Sequence, residues 1–401
     1  MIFLDSASTT KPVDSILETI TPYVKSKYFN PSAKYKCAEK IKDKIEEVRC
    51  MIADSINANP EEIYFTSGAS ESNNWAVRGF VDYCNAKEKG KQIAIISSGL
   101  EHKSIRDCIR WLNLFTNNIV NPEYSDIGML DREGIIHKEN IKDFLVKYYG
   151  DKYKIFTTIC MGNNEIGTIQ DIKGLTEEVH KYNGVMHTDA TQCYGHIPID
   201  VKDLGVDLLS ASAQKLGGLK GTGFLYISKG MKDHIFPLIY GSQERSFRGG
   251  TSNVIGIIAF GEAVKNIDYK KSIELKLKRN YMIEEMIKEF DVVLNGDACI
   301  LNGNTSILEL QRLPNNINVT FKQNITAEAL LYMLECDNIL VSAGSACNSQ
   351  SIKPSKVLQT IGLTDDEIMR TLRITLPYDI SYRDIDRAID SIEKAIKILT
   401  K

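Results

Sequence analysis

An aspartate and a lysine stand at the ends of two predicted strands and could together hold an aldehyde cofactor. Asp189 closes one apolar run, and Lys215 follows the next run, which spans residues 207–213. Ligands of open α/β sheets bind beyond the carboxyl ends of the strands. A lysine there can form a Schiff base with an aldehyde, and an aspartate can keep a pyridine nitrogen protonated. The pair would provide the minimum apparatus of a pyridoxal-phosphate site, but by itself it is weak evidence, because most lysines are surface groups, as is expected of Lys220.

A cysteine within a run of small and polar residues is a second candidate. Residues 342–355 read SAGSACNSQSIKPS, with Cys347 near the centre. A segment with so few side chains able to join a core is expected to be mobile. Cysteine is usually buried, so an exposed one is a candidate nucleophile in its thiolate form. The alternative is a free thiol without a role.

Polar residues follow three further predicted strands. A strand at 62–66 leads into SGASES, where the start of a helix could bind phosphate or carry an ordinary cap. A strand at 92–98 leads to His102, which by itself fits a surface or core residue equally well. A strand at 153–161 leads to Asn163 and Asn164, which are also common in turns. Strands that alternate with helices predict a parallel sheet.

Eight spaced segments resemble the cysteine desulfurases, a group within the class V aminotransferase superfamily. In chain order they are TSGASESNN at 66–74, EHKS at 101–104, NNEIG at 163–167, HTDATQ at 187–192, SASAQKLGGLKGTGFLY at 210–226, RGGT at 248–251, SAGSACNS at 342–349 and LRITL at 372–376. The resemblance covers nearly the whole chain. It implies an α/β fold of the fold-type I class of pyridoxal-phosphate enzymes, with a mostly parallel sheet flanked by helices and a smaller α+β domain.

The resemblance also implies roles for particular residues. Lys215 would carry pyridoxal 5'-phosphate and move the substrate's α-proton, and Asp189 would hold the pyridine nitrogen. His102 would stack on the ring and do acid–base work. Cys347 would attack the substrate sulfur and become a persulfide, on a segment like that of the extended-loop subgroup. The other implied contacts are Gln192 and Asn164 at the ring oxygen, Ala69, Ser70, Ser212 and Gln214 at the cofactor, Thr251 at the neighbouring subunit's phosphate, and Arg373 with Asn164 at the substrate.

Three positions depart from the pattern of the family. Gln214 stands where most relatives carry a histidine beside the cofactor lysine, and its amide can still donate a hydrogen bond. Tyr240 and Ser242 stand in place of glycines. These changes bear on cofactor affinity and on the shape of one loop.

Composition excludes several other classes of protein. The 401 residues carry a net charge of −3, with 25% charged and 43% hydrophobic residues, so neither a nucleic-acid nor a membrane surface is indicated. Nine scattered cysteines without a CxxC pair indicate no metal site or disulfide framework. Charged Asp5 comes too early for a signal peptide. We therefore expect a cytoplasmic protein, with a large domain at 13–261 and a small one formed by 1–12 plus 262–401.

The sequence thus predicts a homodimeric cysteine desulfurase. It would convert L-cysteine to L-alanine and pass the sulfur to an acceptor, either a scaffold or a thiolation protein. Another class V chemistry, such as selenocysteine cleavage or transamination, is one alternative, but it requires no thiol at Cys347. A cofactor-free sulfur carrier is a second, and Lys215 with Asp189 argues against it. The sequence leaves open which acceptor receives the sulfur.

Overall fold

The computed structural model describes residues 1–116, 118–120, 130–297, 311–348 and 351–400, with the backbone alone for 345–348 and 351–353. Its helices are α1 (Ile16–Lys25), α2 (Lys36–Ser55), α3 (Ala69–Lys87), α4 (Lys103–Phe115), α5 (Lys138–Lys147), α6 (Ile172–Lys181), α7 (Val201–Leu204), α8 (Gln243–Ser246), α9 (Val254–Lys265), α10 (Tyr269–Glu289), α11 (Ala327–Cys336), α12 (Lys356–Thr360), α13 (Asp365–Met369) and α14 (Tyr382–Leu399). Its strands are β1 (Ile2–Phe3), β2 (Ile63–Thr66), β3 (Gln92–Ser97), β4 (Ile119–Val120), β5 (Tyr153–Thr158), β6 (Val185–Asp189), β7 (Leu208–Ser212), β8 (Gly223–Ile227), β9 (Val292–Leu294), β10 (Asn316–Phe321), β11 (Ile339–Leu340), β12 (Ser342–Ala343), β13 (Ser345–Asn348), β14 (Ser351–Pro354) and β15 (Thr371–Thr375).

The larger sheet has the strand order β2-β8-β7-β6-β5-β3-β4. Strand β8 runs opposite to the other six strands, which share one direction. The predicted mostly parallel α/β sheet is therefore confirmed. One apolar cluster on the sheet includes buried residues of α2, α6 and α9, and another includes those of α3 and α4. Cover from both clusters explains why β2, β7 and β8 are buried along their whole length and contain no charged residue.

The smaller sheet, β12-β15-β10-β9, is antiparallel throughout. Its apolar cluster draws on α10, α11 and α14, and it also includes Ile2 and Leu4 from the start of the chain. The start of the chain is held there because β1 pairs with β11. The predicted division at residue 262 falls inside α9, and the division into two domains stays a prediction. Among the described residues, no helix combines the length and the apolar character needed to cross a membrane.

The limits of two elements lie close to the segment that carries Lys215. Helix α1 begins only at Ile16, and upstream of it the N–H of Val13 donates to the carbonyl of Gly217 at 2.9 Å. The strand predicted to continue through Ala213 ends at Ser212, and residues 213–215 form a 3-10 turn. This turn ends at Lys215, which lines a cavity described below.

The segment that carries Cys347 differs from the irregular loop expected from its composition. Ser342–Ala343 pairs with β15, and β13 forms an antiparallel hairpin with β14 in which Cys347 lies opposite Ile352. The hydroxyl of Ser355 donates to the carboxylate of Glu165 at 2.5 Å. Backbone pairing and this hydrogen bond therefore anchor both ends of a segment made mostly of small and polar residues. The predicted mobility of the segment and the side chain of Cys347 lie outside what the structure describes.

A buried ion pair holds the loop in which Tyr240 and Ser242 replace glycines. Glu244 accepts hydrogen bonds from Arg49 Nη1 at 2.6 Å, Arg49 Nη2 at 3.0 Å and the N–H of Phe65 at 3.0 Å. Three successive residues of α8 have left-handed backbone, with φ of 44°, 59° and 62° at positions 244 to 246. Such conformations are costly for residues other than glycine, so they persist only where the surroundings enforce them.

We expect Glu244→Gln to lower the free energy of unfolding by about 3–5 kcal/mol, because the guanidinium of Arg49 would stay buried without its main counter-charge. The measurement is a urea titration followed by fluorescence. The matched control is Glu46→Gln, since Glu46 pairs with the same arginine but has a side chain that is 42% exposed. Loss of an exposed partner should cost less than about 1 kcal/mol. Equal effects of the two substitutions would contradict the assigned role.

Candidate active site

A cavity of about 520 Å³ opens where β6 and β7 end. Among the predicted site residues, it is lined by Ala69, Ser70, His102, Asn164, Asp189, Gln192, Ser212, Gln214, Lys215 and Arg373. Asp189 and Lys215 come to the same cavity because β6 and β7 are parallel neighbours whose carboxyl ends lie side by side. The structure thus brings together ten residues that the sequence placed in six of the eight segments.

The lysine in this cavity is buried, and the pKa of its amine is lowered. Lys215 is 9% exposed, and its Nζ donates to the carbonyl of Ala7 at 2.6 Å and to that of Ser8 at 2.5 Å. Burial, with the nearby positive charge of Arg373 acting in the same direction, lowers the pKa of the Lys215 amine from 10.5 to about 8. A substantial neutral fraction therefore exists near neutral pH, and only the neutral amine attacks an aldehyde.

We expect the cofactor-free protein to react with a small aldehyde at Lys215 with a rate that rises with pH around a midpoint near 8. Above that midpoint the amine is already neutral, so the rate should level off well below 10.5, the ordinary pKa of lysine. Stopped-flow absorbance at a series of pH values would measure it, with Lys215→Ala as the blank. A rate that keeps rising through pH 10 would contradict the lowered pKa.

Asp189 lies at the end of β6 with both carboxylate oxygens held in place. Oδ1 accepts from the N–H of Thr191 at 2.9 Å, and Oδ2 accepts from Asn73 Nδ2 at 2.7 Å. The residue is only 6% exposed. A carboxylate fixed by two donors at the rim of a cavity is suited to bind a protonated ring nitrogen.

The first turn of α3 forms one wall of the cavity at Ala69 and Ser70. Gly68 precedes the helix with φ of 146°, a conformation that side chains rarely adopt. A Cβ on Gly223 would lie 2.8 Å from the Cα of Gly68, so the two glycines allow β8 to approach the start of the helix closely. The backbone N–H groups in the first turn of a helix have no partner within the helix, and they attract anions.

Arg373 reaches the cavity from β15 and is already engaged. Its Nη2 donates to Asp5 Oδ1 at 2.8 Å, and its Nη1 lies 3.4 Å from the carbonyl of Asn164. Its Nε is buried without a hydrogen-bond partner among the described residues. Gln192 donates to the carbonyl of Ala7 at 3.1 Å. The amide side chain of Asn164 lines the cavity, while its backbone supports the arginine.

Thr251 is not part of this cavity. It is exposed and lines a separate hollow of about 270 Å³, in which Arg248 and Asn253 also lie. Ser67 and Gly221 line both the hollow and the cavity, so the two spaces adjoin. Within a single chain the structure therefore does not bring Thr251 together with the other predicted residues.

Comparison with known proteins identifies the family. The family model described as aminotransferase class-V matches residues 2–387. The chain belongs to this family. It is 38% identical over 403 aligned positions to the cysteine desulfurase IscS of Dictyoglomus turgidum, with 99% of this chain and 95% of that protein covered. The resemblance seen in the sequence is thereby confirmed.

Two solved structures at 30% and 32% identity share the fold. The NifS-like protein of Rickettsia africae superposes with a TM-score of 0.82 at 30% identity, covering 99% of both chains. A structure described as SspA in complex with cysteine gives a TM-score of 0.77 at 32% identity, covering 94% of this chain and 99% of that one. These matches extend over both sheets of the structure.

Several site residues of this class V chain were missed by sequence reasoning. Asn73 lies in the segment TSGASESNN, from which only Ala69 and Ser70 were predicted as site residues. Asp5, in FLDSAS, was treated only as a charge near the start of the chain, although it holds Arg373. The carbonyls of Ala7 and Ser8 could not be found from side-chain types at all, because any residue supplies a carbonyl.

Glu101, in the predicted segment EHKS, supports the floor of the site. Its carboxyl group is fully buried and accepts from the N–H of Cys160 at 3.0 Å and from the hydroxyl of Ser98 at 2.9 Å. Burial raises the pKa of this carboxyl from 4.5 to about 8. Near neutral pH the Glu101 carboxyl group is therefore largely protonated, so it adds little negative charge near Asp189.

Proposed function

We propose that the chain is a pyridoxal 5'-phosphate-dependent cysteine desulfurase that converts L-cysteine to L-alanine and retains the sulfur on Cys347. Its class V membership and its similarity to cysteine desulfurases support the activity. A related structure at 32% identity is described as a complex with cysteine. The observation that carries the proposal is a buried lysine with a lowered pKa that faces the same cavity as a fixed carboxylate.

The residues that line the cavity fit pyridoxal 5'-phosphate in their chemistry. Lys215 supplies an amine for the aldehyde, and Asp189 supplies an acceptor for the pyridine N–H. The start of α3 at Ala69 and Ser70 supplies N–H groups for the phosphate, with the side chains of Ser212 and Gln214 as further donors. When bound, the cofactor supplies an electron-withdrawing ring that stabilises negative charge on the α-carbon of the substrate.

The chain's own residues would position the substrate and move its protons. Lys215 would take the α-proton of the substrate through its neutral amine. Arg373 would hold the substrate carboxylate through its guanidinium, with Asp5 fixing the orientation of the arginine. Asn164 and Gln192 would donate amide hydrogen bonds near the ring oxygen. His102, on the cavity wall beside Ser70, would face the ring.

Cys347 would accept the sulfur. Its thiolate attacks the Sγ of L-cysteine, so a new S–S bond forms while the Cβ–Sγ bond breaks. The electron pair of the broken bond stays with the substrate carbon skeleton, which is protonated and leaves as L-alanine. Cys347 is left as a persulfide. Its outer sulfur atom is then transferred to a sulfur-acceptor protein, either a scaffold or a thiolation enzyme.

We propose a cytoplasmic homodimer as the working form. The support is the position of Thr251, which lies outside the cavity of its own chain in a hollow that adjoins it at Ser67 and Gly221. Thr251 of the partner subunit would then complete the phosphate site.

Incubation with L-cysteine and a thiol reductant should give alanine and sulfide in a one-to-one ratio. The amino acid product is measured by chromatography and sulfide by a colorimetric assay. The control is Asp189→Asn, which should lose most of the activity because an amide cannot stabilise a positively charged ring nitrogen. Formation of a keto acid without alanine would favour transamination and contradict the proposal.

A further inference from the structure

A row of four polar side chains joins His102 to Asp189. His102 Nδ1 lies 2.8 Å from Ser104 Oγ, which lies 3.0 Å from Asn73 Nδ2, which in turn lies 2.7 Å from Asp189 Oδ2. Ser104 comes from the first turn of α4, and Asn73 is a fully buried residue of α3. The row thus links the histidine on the cavity wall to the carboxylate at the end of β6.

The direction of these hydrogen bonds follows from the carboxylate. A carboxylate only accepts, so Asn73 must turn its NH₂ group towards Asp189, and its second hydrogen points to Ser104 Oγ. The reverse orientation would place two acceptors 2.7 Å apart. Asn73 Oδ1 is buried without a partner among the described residues, which indicates that the two donated bonds decide the orientation of the amide. Ser104 Oγ accepts from Asn73, and its own hydrogen is then free to point towards His102.

A second contact acts on the same nitrogen of the imidazole. The backbone N–H of Ser104 donates to His102 Nδ1 at 3.1 Å, since His102 is the N-cap of α4. A backbone N–H can only donate, so this contact favours the tautomer without a proton on Nδ1. The Ser104 hydroxyl is a second donor to Nδ1, and the two donors together select this tautomer. Among the described residues, His102 Nε2 has no hydrogen-bond partner.

We infer that Ser104 and Asn73 are positioning residues that hold His102 as the neutral tautomer with its proton on Nε2. This inference rests on the proposed function for its consequence. With Nδ1 occupied by two donors from Ser104, His102 offers an N–H to a group in the cavity and does not accept a proton through Nε2. It would therefore serve as a hydrogen-bond donor, and the proton of the Cys347 thiol must go to another group.

The test is nitrogen NMR of histidine-labelled protein above the pH at which imidazoles are charged. The signal pair of His102, assigned with His102→Gln, should show an unprotonated Nδ1 and a protonated Nε2 in the cofactor-free and the cofactor-loaded protein. Ser104→Ala should introduce a detectable share of the other tautomer. Ser104→Thr keeps the hydroxyl and should restore the parent spectrum. Lys103→Ala, an exposed neighbour on the same turn, is the control and should change nothing.

The turnover number kcat is the second quantity to measure. Ser104→Ala should lower kcat with L-cysteine by about 10-fold to 100-fold, the range known for groups that orient metal-bound histidines, with cofactor binding intact. A parent spectrum with the proton on Nδ1 would overturn the inference. So would a Ser104→Ala spectrum identical to that of the parent, whether or not kcat falls, or a Ser104→Thr protein that behaves like Ser104→Ala. Because the tautomer is read without substrate, an inactive protein with the expected spectrum would count against the proposed function alone.

Discussion

Cys347→Ser is expected to stop alanine formation from L-cysteine while the cofactor stays bound. A serine hydroxyl is a far weaker nucleophile towards sulfur than a thiolate, so the rate should fall by about 10³-fold or more. Lys215 and Asp189 are untouched, so the visible spectrum and its change on adding L-cysteine should persist. Alanine release by chromatography and the absorbance spectrum measure the two parts separately.

The matched control for this substitution is Cys336→Ser. Cys336 is an exposed free thiol at the end of α11, so it tests whether any accessible cysteine can serve. We expect its replacement to leave the rate of alanine formation within about twofold, since surface substitutions are usually near neutral. If Cys347→Ser made alanine as fast as Cys336→Ser, the thiol chemistry assigned to Cys347 would be wrong.

Lys215→Ala is expected to remove both stable cofactor attachment and turnover. The amine is the covalent anchor and the group that moves the α-proton, so activity should fall by about 10³-fold or more. The visible absorbance should disappear after gel filtration, because the remaining contacts hold the cofactor without a covalent bond. The absorbance spectrum, the rate of alanine formation and circular dichroism as a check on folding are the measurements.

Lys220→Ala is the matched control for the cofactor lysine. Lys220 lies five positions further along the same glycine-rich segment and is exposed, whereas Lys215 is buried. Its replacement should leave the protein coloured and active. A Lys215→Ala protein that kept its colour and turned over L-cysteine would remove the basis for the cofactor site.

The sequence predicted the parts of the site that follow from strand ends. Asp189 and Lys215 were placed together because apolar runs end just before them, and parallel strands bring such ends to one edge of the sheet. His102 and Asn164 were placed on the same reasoning after β3 and β5. The strands predicted at 62–66, 92–98 and 153–161 correspond to β2, β3 and β5, because apolar runs and the turn residues after them are local signals.

Contacts between distant parts of the chain could not be predicted. The hydrogen bonds from Lys215 to Ala7 and Ser8 span more than 200 positions, and the pair of Arg373 with Asp5 spans 368. Neither leaves a local pattern. The hairpin at Cys347 was missed because small polar residues carry little strand preference, so its pairing follows from the register of the two arms.

The other cysteines that line or adjoin the cavity are poor candidates for carrying sulfur. Burial raises the pKa of the thiols of Cys160 and Cys193 well above the ordinary value, so neither provides a thiolate near neutral pH. Burial likewise raises the pKa of Cys84 and of Cys108 to about 12. None of these four buried cysteines should therefore carry the persulfide.

The most direct test of this account is mass spectrometry of the protein after one turnover with L-cysteine in the absence of reductant. The peptide that contains Cys347 should gain the mass of one sulfur atom, and a thiol reductant should remove it. The peptides that carry the other eight of the nine cysteines should be unchanged. Sulfur on Cys160 or Cys193 instead, or alanine released with no sulfur retained on Cys347, would contradict the proposed mechanism.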